Sequence, residues 1–131
     1  MVRLSIMHRV SGIGGFFFRA KDPEALDRWY FENLGIDPVP MAEGAKSWRQ
    51  EAGETAFTSM EGTVDQFGVP EANWAINFRV ADLDGIVEQL RANGNEVVVD
   101  PTTYSMGRFA SLADPEGNPI QLWEPEGAQS S

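Results

Sequence analysis

Arg19 and Arg79 stand sixty residues apart in matching surroundings. Two guanidinium groups held at equivalent places could clamp a carboxylate or other anion bidentately. Near strand ends they could equally pair with the neighbouring Asp22 and Asp82, a common and weak use of exposed arginine. Trp48, Tyr104 and Arg108 are further candidates to touch a bound molecule, and each has a packing role open to it as well. The sequence has no cysteine, which removes disulfides, thiolate nucleophiles and thiolate metal ligands together. Its single histidine, His8, lies outside the matched stretches and is expected at the surface rather than as a ligand or base.

The matching surroundings are an internal repeat. GFFFRAKDPEAL at residues 15–26 returns as AINFRVADLDGI at residues 75–86, pairing Phe18 with Phe78, Asp22 with Asp82 and Leu26 with Ile86. Each copy is an apolar run, an Asp able to cap a helix, and an amphipathic segment that stops at glycine, Gly35 in one and Gly94 in the other. A strand therefore runs into a helix twice, and the chain reads as two related halves. At 131 residues the halves belong to one compact domain.

In chain order, residues 1–10 form a leader and a strand is expected at 13–20, with Phe16, Phe17 and Phe18 buried on both faces. Asp22-Pro23-Glu24 opens a helix on which Leu26, Trp29, Tyr30 and Leu34 fall at helical spacing. A hairpin of strands at 47–51 and 54–60 follows, turning at Ala52-Gly53. Residues 61–72 form the linker, with Phe67 as an anchor. The second half offers a strand at 74–80, a helix capped by Asp82 with Ile86 and Leu90 inward, and a strand at 96–99. A last hairpin joins strands at 108–113 and 119–123 across Asp114-Pro115-Glu116-Gly117-Asn118. The organisation is a single domain over 1–131: a first module at 12–60, the linker, a second module at 73–124 and a loose tail at 125–131.

Ten Lys and Arg against twenty Asp and Glu give a formal charge of -10. An acidic surface repels phosphate backbones and anionic lipid, so neither nucleic acid nor membrane is an expected partner. The positive, apolar opening resembles a signal peptide, but Arg9 and the glycines interrupt it and no small-residue cleavage site follows. With no stretch approaching a membrane span, a soluble cytoplasmic protein is expected.

Gly107-Arg108-Phe109, then Asp-Pro-Glu-Gly-Asn and Ile120-Gln121-Leu122, resemble the C-terminal signature of the vicinal oxygen chelate superfamily, which includes glyoxalase I, bleomycin resistance proteins and extradiol dioxygenases. The strand-Asp-helix repeat is similar to its paired modules, and the resemblance covers residues 12–124. It implies an α+β fold of two βαβββ modules whose curved sheets surround a cavity with a divalent metal at its floor. Carried onto this chain, the metal-binding His of the first strand is Gly15, that of the second half is Ala75, and the carboxylate of the last strand is Gln121. The fourth ligand, around Thr58, has no obvious carboxylate either. Glycine and alanine offer no donor, and one amide oxygen cannot hold a divalent ion alone, so no metal or other cofactor is expected.

Strand alternation from those positions places Phe17 and Arg19 in phase with Gly15, Asn77 and Arg79 in phase with Ala75, and Trp123 in phase with Gln121. Such a lining suits an organic ligand with a planar part and polar handles. The resemblance implies a homodimeric protein that binds a small organic molecule, a drug or metabolite, without transforming it. Its alternative is a lyase, isomerase or dioxygenase with a displaced or absent metal, acid–base work falling to Tyr104, Glu51 or Glu61.

Overall fold

The computed structural model describes residues 8–40, 44, 46–61 and 72–127. Residues 1–7 of the leader, residues 62–71 of the linker with Phe67, and residues 128–131 of the tail lie outside them. Helix α1 spans Pro23–Leu34 and helix α2 spans Leu83–Ala92. The aspartates expected as caps act as such: Asp22 accepts from the Ala25 amide at 3.1 Å and Asp82 from the Gly85 amide at 2.9 Å. Gly35 ends α1 in the left-handed conformation, φ 72°, which glycine adopts without a Cβ penalty.

Strands β1 (Ile76–Arg79), β2 (Val98–Val99), β3 (Gly107–Ala113) and β4 (Pro119–Pro125) form one sheet in the order β1-β4-β3-β2. β1 runs parallel to β4, and the other pairs are antiparallel. The second half is thus the expected β-α-β-β-β unit. Ile76, Phe78, Ala110, Leu112, Ile120 and Leu122 alternate onto one face and pack beneath the helices with Leu26, Tyr30, Leu83, Val87 and Leu90. The buried positions of α2 fall at Leu83, Val87 and Leu90, one helical stripe. Ile86, expected inward, is only partly buried beside them.

The first half departs from expectation. The strands read at 13–20, 47–51 and 54–60 are not formed: the segments make no ladder among the described residues. A strand persists only where its amides and carbonyls find partners, whatever its side chains prefer. Side-chain packing is nevertheless present, since Phe18 stands edge-on to Tyr30 and Trp74, and Phe16 stands edge-on to Trp74. The tail also begins later than read, because Pro125 closes β4 opposite Gly107 and the Glu126 amide bonds the Met106 carbonyl.

The turn at residues 114–118 joins the halves. Asp114, buried, accepts from the Tyr30 hydroxyl at 2.7 Å, the Glu116 and Asn118 amides and the Asn118 side chain. Glu116 takes the Lys21 and Asp22 amides at 2.6 and 3.0 Å, just ahead of α1. At the far end of α1, buried Asn33 accepts from Asn93 and Asn95. Every buried side-chain polar atom among the described residues has a partner.

Burial, then the hydrogen bond and charge of Asp114, push the Tyr30 phenol well above its ordinary value of 10.0. Unfolded Tyr30 sheds its proton above that pH while the folded residue keeps it, so the folded state binds more protons and loses stability as pH rises. This contribution is intact below pH 10 and falls by up to about 1.4 kcal/mol per further pH unit. Urea unfolding followed from about pH 9 to 11.5 should show a shallower alkaline decline in Tyr30→Phe than in the wild type.

Candidate functional site

One face of the sheet carries the helices. The other carries two cross-strand rows fixed by the register. Arg79, Trp123 and Phe109 form the first, which Asp100 extends by donating its amide to the Phe109 carbonyl at 2.9 Å. Asn77, Gln121, Ser111 and Val98 form the second. The Trp123 indole N–H donates to the Met106 carbonyl at 2.8 Å, which fixes the ring in orientation. Tyr104 stands edge-on to Phe109, ring centres 5.8 Å apart, and donates its hydroxyl to Asp100 at 2.8 Å. The face therefore presents a pinned aromatic shelf beside a strip of three neutral polar side chains that ends at Val98.

In the strip, the Asn77 side-chain amide donates to the Gln121 side-chain oxygen at 2.7 Å. At the end of the shelf, the Arg79 guanidinium donates to the Glu51 and Glu54 carbonyls at 2.7 and 2.9 Å. These bonds draw the segment around Gly53 over β1. A Cβ on residue 53 would come within 2.5 Å of the guanidinium carbon, so glycine permits the close approach. Gly107 is required by the same logic, since at φ 128° a side chain there would strike the Glu124 carbonyl.

Of the residues singled out from sequence, Asn77, Arg79, Gln121 and Trp123 lie together on this face, with Tyr104 at its rim. Arg79 serves as a tether for the chain at 51–54, which commits the guanidinium expected to clamp an anion. Arg108 is on the opposite side: it shares β3 phase with Ala110 and Leu112 and pairs bidentately with Asp84 of α2 at 3.0 and 3.2 Å. That ion pair holds Asp84 below the usual carboxylate range. Phe17 is 90% exposed and folds back on Gly15 instead of lining the face. Arg19 and Trp48 are exposed on first-half segments that form no strand, so alternation does not place them. Sequence reasoning passed over Phe109, Ser111 and Asp100, although the buried phase of Ala110 and Leu112 puts the odd-numbered residues of β3 on the open side.

The divalent metal implied by the resemblance does not fit these residues. Gly15 and Ala75 have no donor atom, the Gln121 oxygen already accepts from Asn77, and the Thr58 hydroxyl donates to the Ser59 carbonyl. The Thr102 amide and the Tyr104 hydroxyl hold Asp100 low, and that bond to Asp100 holds Tyr104 high. Two shallow depressions, of about 350 and 410 Å³, border α1, one against Pro115 and Glu116 of the turn and the other against Asn93. Neither is lined by residues of the open sheet face.

A four-stranded mixed sheet with helices on one side and a polar and aromatic surface on the other is an α+β arrangement of the glyoxalase/bleomycin resistance fold, in the vicinal oxygen chelate superfamily. The family described as Glyoxalase-like domain matches residues 15–123, and the chain belongs to it. It is similar to TnmS3, an antibiotic binding protein from Streptomyces sp. CB03234, at 24% identity and a TM-score of 0.61 over 88% of this chain and 97% of that one. Lactoylglutathione lyase from Agrobacterium tumefaciens matches at 20% identity and a TM-score of 0.56, over 88% and 94% of the two chains. CFP32 of Mycobacterium tuberculosis (strain CDC 1551 / Oshkosh), a protein named for glyoxylase, is 37% identical over 59 residues. The match takes in 44% of this chain and 22% of that protein's length. Among the described residues no helix is long and apolar enough to cross a membrane.

Proposed function

We propose that the open sheet face binds a small organic molecule with a planar part, holding it without a metal and releasing it chemically unchanged. The observation that carries this reading is the replacement of donor chemistry by an amide pair beside a pinned indole: Gln121 bonded to Asn77, with Trp123 next along the strand. The fold alone leaves binding and catalysis open, since TnmS3 is described as an antibiotic binding protein and another relative as a lyase. The side chains favour binding, because the metal donors are replaced, the arginine is tethered to backbone carbonyls, and the ionisable pair at the rim, Tyr104 and Asp100, is spent on its own hydrogen bond.

A second copy of the chain is the expected cover for the rest. Phe17 and Phe57 are 90% and 91% exposed in the unladdered first half, an arrangement that pairing with a partner would bury. Sedimentation equilibrium should give twice the 14.5 kDa chain mass. A lack of affinity for nucleic acid accords with the acidic charge.

The ligand reading is tested by calorimetric titration with a panel of fused-ring aromatic compounds, each recovered and weighed by mass spectrometry. Removing the stacking surface with Trp123→Ala should weaken binding by about tenfold or more while leaving the fold intact. Turnover of a bound compound, or affinity unaffected by the loss of the indole, would contradict the proposal.

A further inference from the structure

We infer that Asn77 and Gln121 form a reader for a cis-lactam edge, the adjacent N–H and C=O of a planar ring such as a pyridone or isoquinolinone. The inference rests on the ligand reading above and names the ligand's polar handle. Between the two amides there is a single hydrogen bond, Asn77 Nδ2 to Gln121 Oε1 at 2.7 Å. That leaves the Asn77 Oδ1 acceptor and the Gln121 Nε2 donors uncommitted among the described residues, on residues that the register pairs across neighbouring strands. An acceptor beside a donor matches one N–H and one C=O presented along a common edge. Exchanging the ends of both amides reverses the roles and preserves the pattern.

Other handles fit less well. A carboxylate offers only acceptors, so one oxygen would face the lone pairs of Asn77 Oδ1, and the chain's charge of -10 adds no attraction for it. A quinone-type carbonyl would satisfy Gln121 and leave Asn77 unanswered. Spacing sets the size: Trp123 follows Gln121 by two residues, about 7 Å along the strand. A ring stacked on the indole must be at least bicyclic for its edge to reach the amide pair.

The probe is isoquinolin-1(2H)-one, with its N-methyl derivative as the matched control, titrated by calorimetry into the full chain in chelator-containing buffer. The lactam should bind at least about tenfold more tightly than the N-methyl compound, the worth of one lost hydrogen bond. Asn77→Leu, its fold checked by circular dichroism, removes the acceptor that the ligand N–H faces and should reduce that ratio to near one. Equal affinities in the wild type would overturn the lactam inference and leave the ligand reading standing. So would binding of other panel aromatics with no binding of either probe. Silence from every compound in the panel would overturn both.

Discussion

Asp114→Ala is expected to cost about 3–5 kcal/mol, a large share of the stability of a domain this size. Four donors converge on that carboxylate: the Tyr30 hydroxyl, two backbone amides and the Asn118 side chain. Alanine leaves them facing a void in a place where Asp114 itself is buried, and each buried donor left unmet costs about 1–3 kcal/mol before relaxation. The loss falls on the contact between halves, because Tyr30 belongs to α1 and the turn to the β3–β4 hairpin. Thermal unfolding should drop by about 10–20 °C. Asp114→Asn keeps one acceptor oxygen for the turn amides and should lose roughly half as much. A fall below about 1 kcal/mol for the alanine variant would mean that the turn does not join the halves.

Leu122→Ala should cost about 3–4 kcal/mol for a different reason. Its side chain is fully buried in the sheet–helix core, and its loss removes transfer energy and opens a cavity. The comparison with Trp123→Ala is informative because the residues are adjacent and point to opposite faces of β4. Urea midpoints should move strongly for Leu122→Ala and little for Trp123→Ala, while ligand affinity in the folded protein should move the other way. Equal stability losses would show the open face to be core instead of site.

The helices and the second module were legible in the sequence because local chemistry decides them. Asp22-Pro23 and Asp82 each present a cap, glycine stands after each helix, and Ile120 and Leu122 alternate onto the buried face of β4. The first-half strands were not legible, since Phe16, Phe17 and Phe18 carry strong strand preference but the preference cannot supply a backbone partner. Asn33 was missed for a related reason: it reads as a solvent-facing polar residue, whereas Asn93 and Asn95 from the other half satisfy it in the interior.

At the site, the phase carried over from the resemblance brought Asn77, Gln121 and Trp123 to one face. It could not show that Arg79 turns both its terminal nitrogens to the Glu51 and Glu54 carbonyls. Arg108 drew attention by its charge, yet its strand phase with Ala110 already directed it toward Asp84. The signature turn at 114–118 read as a hairpin end, and its second role, receiving α1 through Asp114 and Glu116, emerges only when the halves are together.

The most direct measurement is the affinity of a bound fused-ring compound determined twice, once in excess chelator and once with added zinc, nickel, manganese or iron. Amide and indole contacts depend on no ion, so equal dissociation constants are expected. Binding that disappears in chelator and returns with stoichiometric metal would contradict the assignment of the open face to metal-independent recognition.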